Sequence, residues 1–425
     1  MSVLQSQKQQ TKKQTSVREL RLLLLEIFLY WITIGLTTVS FASFFTDDFY
    51  EGKNIPAASE LFGLCETAFY LLQLLGNPFF GVFSDRFGRK NSILVILLGG
   101  SLNWFILSQS KTKIMVIFAR MMHGFCDSNS QATASYVSDI SSKQDFPKNM
   151  GLLQGTGGFG MIVGLILGFI LNGVGLSNRN IFFVAATILG FNAFYVYFIL
   201  PESMKTAKLK RFDWAKANPL GSIKFIYNNK KFRRMFPILY FNIIGGTCGI
   251  ILLQFYLRYK HKMSEKLIYI LLFEAAILQI FAMAVLLRLS IKKKGNKRTL
   301  IDGFLAQLGL NICCIIAPKG WMFFFFIPLV YQFVAFTIIQ SFFQAVVKEN
   351  EKGMLFGALS LGSNFAHTCA KFMYPRIFSF STRNFDFPEL PFIISLFFSF
   401  VNLYLASKIP EQEYFEKKDD DQDKI

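Results

Sequence analysis

Runs of about twenty apolar residues recur along almost the whole chain between short polar breaks, and no other feature constrains the fold as much. A helix of that length crosses a bilayer core with every backbone polar group satisfied inside the segment. The spacing predicts helices near 22–45, 60–83, 91–109, 114–139, 149–173 and 180–200, and again near 235–257, 265–290, 299–317, 320–346, 353–378 and 388–407. The expected fold is an all-α membrane protein of about twelve transmembrane helices in two sets of six. Its parts are a tail (1–21), a first bundle (22–200), a basic central loop (201–234), a second bundle (235–407) and an acidic tail (408–425). With 52% hydrophobic residues and a mean hydropathy of +0.39, the chain is too apolar for an ordinary soluble domain.

Charge then sets orientation. The 45 Lys and Arg outnumber the 27 Asp and Glu, a balance that in a soluble chain would point to nucleic acid. Here the basic residues gather in alternate loops, with the largest cluster between Lys205 and Arg234. That is the positive-inside asymmetry of a multi-pass protein with a cytoplasmic N-terminus, central loop and C-terminus. Nucleic acid is therefore excluded as a partner, and the lipid bilayer with its anionic head groups takes its place. The first 20 residues lack an apolar core and read as a cytoplasmic tail, while Asp419 to Asp423 read as a solvated end. All six cysteines (Cys65, Cys126, Cys248, Cys313, Cys314 and Cys369) fall within expected spans, without His at metal-ligand spacing. No disulfide, metal or cofactor is expected.

Between the second and third expected helices stand Gly81, Asp85, Arg86, Gly88, Arg89 and Lys90, in the order G-x-x-x-D-R-x-G-R-K. Glycines permit a tight turn and close helix approach, and the Asp and basic residues can form a charge network that locks one conformation. The segment resembles the signature loop of the major facilitator superfamily. Further pieces fit the resemblance. The fourth helix carries Arg120 and Gly124 as R-x-x-x-G and ends in Tyr136, Val137, Ser138 and Asp139. Pro201, Glu202 and Ser203 are similar to the P-E-S/T stop of drug transporters, and Asp213, Trp214, Asn218, Pro219, Leu220 and Ser222 to a segment of tetracycline-efflux proteins. Glu26, Trp31, Thr37 and Thr38 look closer to the hippocampus-abundant-transcript branch. Gly295, Asn296 and Lys297 repeat Gly88, Arg89 and Lys90, with Lys292 in place of Asp85, as two superfamily halves should.

The resemblance implies the major facilitator fold and a monomeric carrier that moves a small organic substrate by alternating access, with protons as a candidate coupling ion. It implies a gating role for the signature loop and for Asp139, against the alternative of ordinary interfacial charge. Three departures bear on coupling. The first-helix and third-helix Asp of tetracycline exporters fall on Tyr30 and Asn103, and Leu165 replaces the antiporter proline beside Gly157, Gly160, Gly164 and Gly168. Facilitated diffusion of a sugar-like solute, or a transporter-like sensor without flux, remain alternatives. An enzyme is not expected, since no nucleophile, metal cluster or phosphate loop stands out.

Ionisable groups deep in a membrane cost roughly 2.5–3.5 kcal/mol, so those that persist face a cavity or a partner. They are Glu26, Glu66, Arg120, His123, Asp127, Glu274, His367 and Lys371. Arg120, His123, Gly124 and Asp127 stand at i, i+3, i+4 and i+7, one face of an unbroken helix. They read either as a cavity cation with two proton-responsive neighbours or as a neutralised network that holds the bundle together. Glu26, Tyr30, Thr33 and Thr37 form a stripe on the first helix, expected to line the central path. Asn242, Gln332 and Gln340 offer amides suited to a neutral or polyhydroxylated solute or to helix packing, and Glu274 completes the candidate path.

Overall fold

The computed structural model describes residues 2–142, 145–204, 227, 230–326, 331–346 and 352–409; most of the basic central loop and the acidic tail from 410 on lie outside the described residues. Among the described residues there is no strand. The first part of the chain folds into α1 (Ser2–Asp47), α2 (Ile55–Phe87), α3 (Arg89–Gln109), α4 (Lys113–Cys126), α5 (Asn129–Ile140), α6 (Phe146–Gly173) and α7 (Asn178–Phe198). The second follows with α8 (Lys230–Lys260), α9 (Glu265–Phe281), a π-helical turn (Ala282–Leu286), α10 (Leu287–Ile316), a short α11 (Phe323–Phe326), α12 (Phe333–Val346), α13 (Lys352–Phe385) and α14 (Leu390–Ser407). Helix α1 reaches back to Ser2, so the polar segment expected as a tail continues its first turns.

Polar side chains set several starts. Asn54 accepts from the Ala57 N–H ahead of α2, Thr112 from Met115 ahead of α4, and Ser177 from Asn180 ahead of α7. Each satisfies one of the donors that a helix N-terminus leaves over.

Two compact units result. The first holds residues 1–218 with 254–277, and the second 219–253 with 278–425. The expected bundles differ in one respect: the end of α8 and most of α9 belong with the first unit. Arg258 there pairs with Asp47 at 3.2 Å and Glu265 at 3.6 Å, and the Tyr269 and Ser40 hydroxyls lie 2.7 Å apart.

Among the described residues, seven spans are long and apolar enough to cross a membrane: Val17–Asp47, Arg89–Gln109, Lys148–Gly173, Asn178–Phe198, Lys231–Lys260, Glu265–Ile316 and Leu390–Ser407. The sixth of these contains two expected helices, divided where Gly295 leaves helical geometry (φ 79°, ψ 173°). Gly88, its counterpart in the signature loop, adopts φ 99° and ψ 156°. The sequence repeat is therefore also a repeat of backbone conformation, at a positive φ that side chains with a Cβ rarely adopt.

The fourth expected span is not continuous. The chain leaves the helix at Asp127 (φ −78°, ψ 80°) and Ser128 (φ −121°, ψ 24°) before α5 resumes. Asp, Ser and Asn in succession are weak helix formers, and their side chains bond to α1 and α2 instead of to the local backbone. Elsewhere the glycine-rich α6 lies directly on α1: a Cβ at Gly160 would press on the Phe28 carbonyl and one at Gly164 would overlap that of Ile32. Small residues buy that close backbone approach, so this stripe is a packing seam.

Candidate functional site

The first unit buries an unusual amount of charge. Arg120 on α4 is 6% exposed, and its Nη2 lies 2.5 Å from Oε1 of Glu66 on α2. Its Nη1 is 3.1 Å from His123 Nδ1. The guanidinium carbon sits 4.2 Å from the Phe69 ring centre and 5.0 Å from that of Phe41, a cation held between two aromatic faces. Close packing enforces this, because a Cβ at Gly124 would strike the Phe69 backbone. Arg120 and His123 thus turn toward α2 as a neutralised cluster.

Asp127 parts from them. At the interruption between α4 and α5 its Oδ1 accepts from the Tyr30 hydroxyl at 2.7 Å. Gln73 on α2 donates to the Asp127 carbonyl at 2.8 Å and to Oδ2 at 3.4 Å. Ser128 donates to Asn77 Oδ1 at 2.7 Å, so two amides of α2 stitch the break. One step further, Asn129 Nδ2 donates to Glu26 Oε1 at 3.2 Å, and Asn192 on α7 donates to the Glu26 carbonyl at 3.0 Å. Gln73, Asn77, Asn129 and Asn192 were not among the sequence candidates; the signal available was the Asp127-Ser128-Asn129 run of helix-breaking residues.

The α1 stripe is buried inside the first unit. Glu26, Tyr30, Thr33 and Thr37 are all below 9% exposed. Thr33 and Thr37 spend their hydroxyls on α1 itself, donating to the Leu29 carbonyl at 3.1 Å and the Thr33 carbonyl at 2.8 Å. Other candidates lie on other elements. Glu274 is half-buried on α9, and in the second unit Asn242 is buried with its carbonyl accepting from Gln307 at 3.4 Å. Gln332 sits just before α12 and Gln340 within it, both half-buried. His367 faces Thr247 at 3.2 Å.

At the other end of α2 the signature loop forms one network. Arg89 reaches Asp85 Oδ1 at 2.7 Å, Asp139 Oδ2 at 3.0 Å and Ser84 Oγ at 2.9 Å. Glu202 closes it from below: its carboxylate accepts from the N–H groups of Arg89 at 2.9 Å and Lys90 at 3.2 Å, the N-terminus of α3. A negative group there meets both unpaired donors and the positive end of the helix dipole. A Cβ on Gly88 would collide with that carboxylate, which explains glycine at this turn as much as its φ does. Arg86 stacks on Phe87, Lys90 lies over the Tyr197 ring, and Gly81 is exposed.

Among the described residues the regular structure is helical, and seven spans long and apolar enough to cross a bilayer define a multi-pass membrane protein. The chain belongs to the Major Facilitator Superfamily, whose family model matches residues 23–368. It is 24% identical over 300 residues to a tetracycline resistance protein, class C, of Escherichia coli, covering 70% of this chain and 75% of that protein. Over 184 residues it is 32% identical to multidrug resistance protein 2 of Bacillus subtilis (strain 168), covering 43% of this chain and 44% of that one. Over 164 residues it is 28% identical to human solute carrier family 67 member A1, covering 37% and 38% of the two chains. Among solved structures, a D-xylose-proton symporter superposes with TM-score 0.71 at 14% identity, covering 94% of this chain and 98% of that one. The nucleoside transporter NupG superposes with TM-score 0.68 at 13% identity, covering 94% and 100%. The protein is an integral multi-pass membrane protein with the twelve-helix facilitator fold, a secondary active transporter of small solutes and not an enzyme.

Proposed function

We propose that the chain moves a small organic solute by alternating access and draws on a cation gradient to do so. One observation carries the coupling: Arg120 is taken up by Glu66, while Asp127 and Glu26 are held by neutral donors only, from Tyr30, Gln73 and Asn129. Neither carboxyl group forms a salt bridge among the described residues, although the Arg120 charge is felt at Asp127, and buried carboxylates of this kind are costly alone and become less so when a cation arrives. A site of that kind ties cation arrival to solute movement, because a ligand shifts a conformational equilibrium by its difference in affinity for the two states. Protons and alkali ions are the two sources of such a cation.

The charges around Arg89 serve as the cytoplasmic lock. Arg89 bridges Asp85 and Asp139, and Glu202 holds the α3 end that carries Arg89, so releasing either carboxylate frees the loop. Purified protein in liposomes, given labelled sugars, drugs and organic ions under an imposed pH gradient, an imposed Na⁺ gradient or neither, tests the reading. Accumulation under one gradient supports it; solute movement indifferent to both would overturn it.

A further inference from the structure

The surroundings of Glu26 hold more acceptors than donors. Asn129 Nδ2 occupies Glu26 Oε1, and the second carboxyl oxygen, Oε2, has no hydrogen-bond partner among the described residues. Among the same residues Oδ1 of Asn129 has none, and neither does Oδ1 of Asn192, whose amide nitrogen is anchored on the Glu26 carbonyl. These three side chains are 0%, 1% and 0% exposed, so bulk water does not serve them. Neighbouring donors are already committed: the Tyr30 hydroxyl to Asp127, the Tyr195 hydroxyl to the Leu22 carbonyl, and the Thr133 hydroxyl to the Asn129 carbonyl. Buried acceptors are mostly satisfied, and these three, among other orphaned polar atoms of the described residues, belong to side chains joined through Glu26 by two hydrogen bonds, which leaves acceptors that a further partner can serve.

The kind of partner follows from counting. One proton on Glu26 would remove its charge and create a single O–H, enough for one acceptor. One water molecule would bring two hydrogens but no charge to offset a carboxylate. An alkali cation brings charge and accepts several oxygens at once. Asn129 is the first residue of α5, directly after the two residues, Asp127 and Ser128, that leave helical geometry.

We propose that Glu26, Asn129 and Asn192 form a Na⁺ site in the first unit, with Glu26 supplying the charge and the two amide oxygens part of the shell. This rests on the cation-coupled reading above and names its ion.

The test melts the full-length purified protein at fixed pH in NaCl and in choline chloride of equal ionic strength. A melting temperature that rises saturably with Na⁺ and not with choline is expected, since a ligand bound only by the folded state stabilises it. Glu26→Gln and Asn129→Leu should each weaken the apparent Na⁺ affinity at least about tenfold, the scale of losing an ion's oriented partner. Should either variant fail to fold, equilibrium dialysis of radioactive sodium against the wild-type protein decides the matter. Wild-type melting indifferent to Na⁺, with no sodium retained, overturns the site. If that protein still accumulates solute on a pH gradient, the cation-coupled carrier survives without it. If no gradient drives solute while Na⁺ still binds, the coupling reading falls and the site stands.

Discussion

Arg120 offers the sharpest test of how the buried charges hold the first unit. Replacing it with Ala removes a guanidinium 2.5 Å from Glu66 and leaves a carboxylate behind in a buried place. Breaking a buried pair by removing one partner costs about 3–5 kcal/mol, far more than the net worth of the pair. Loss of the Phe69 and Phe41 faces, at 4.2 and 5.0 Å, adds about 1–2 kcal/mol. Arg120→Ala should therefore lower unfolding free energy by about 4–7 kcal/mol. Arg120→Lys keeps the charge but cannot span Glu66 and His123 together, and should lose about half as much. The decisive variant is the double one. Glu66→Leu with Arg120→Met exchanges the pair for apolar volume and should recover most of the loss, since such exchanges are often neutral. The assay is equilibrium unfolding of the purified variants in detergent with increasing sodium dodecyl sulfate, paired with solute uptake per folded molecule. Single variants at wild-type stability, or a coupling energy below about 0.5 kcal/mol in the double-mutant cycle, would refute the reasoning. A stable Arg120→Ala protein that binds no solute would place Arg120 in the substrate path.

Asp85→Asn should slow transport while leaving solute affinity within a few-fold, because the residue meets Arg89 in the loop; a collapse in affinity with cycling intact would move it to the binding site. Glu202→Gln keeps the shape of the α3 cap without its charge and should cost about 1 kcal/mol of stability, read from the same unfolding curves, while speeding opening on the cytoplasmic side. Gly164→Leu forces a side chain into the Ile32 carbonyl and should reduce folded yield sharply, by about 2 kcal/mol or more, whereas Gly81→Ala, with open space around it, should be silent in both yield and uptake. Tags at residue 10, between 205 and 234, and at the C-terminus should all react with impermeant reagent from the cytoplasmic side only; one reporting from the opposite face would end the twelve-helix topology.

The sequence by itself determined what membrane physics forces into a one-dimensional pattern. A bilayer demands runs of fixed length and internally satisfied backbone, so the spans from 22–45 to 388–407 could be read from hydropathy, and orientation from where Lys and Arg collect. The signature loop was legible too, because a positive-φ turn at Gly88 needs glycine and leaves it in place, with a second copy at Gly295. Partners between helices were not legible. Periodicity placed Arg120, His123 and Asp127 on one face, but α4 ends at Cys126, so Arg120 turns to Glu66 while Asp127 meets Tyr30 and Gln73. The α1 stripe was visible as a stripe; that it is buried against Asn129 and Asn192 depends on residues 103 and 166 positions away. Glu202 read as a helix stop, and only folding brings its carboxylate onto the α3 N-terminus, 113 residues earlier. In each case the deciding quantity is a distance of about 3 Å between side chains far apart in the chain, the reach of a hydrogen bond, which no spacing along one helix encodes.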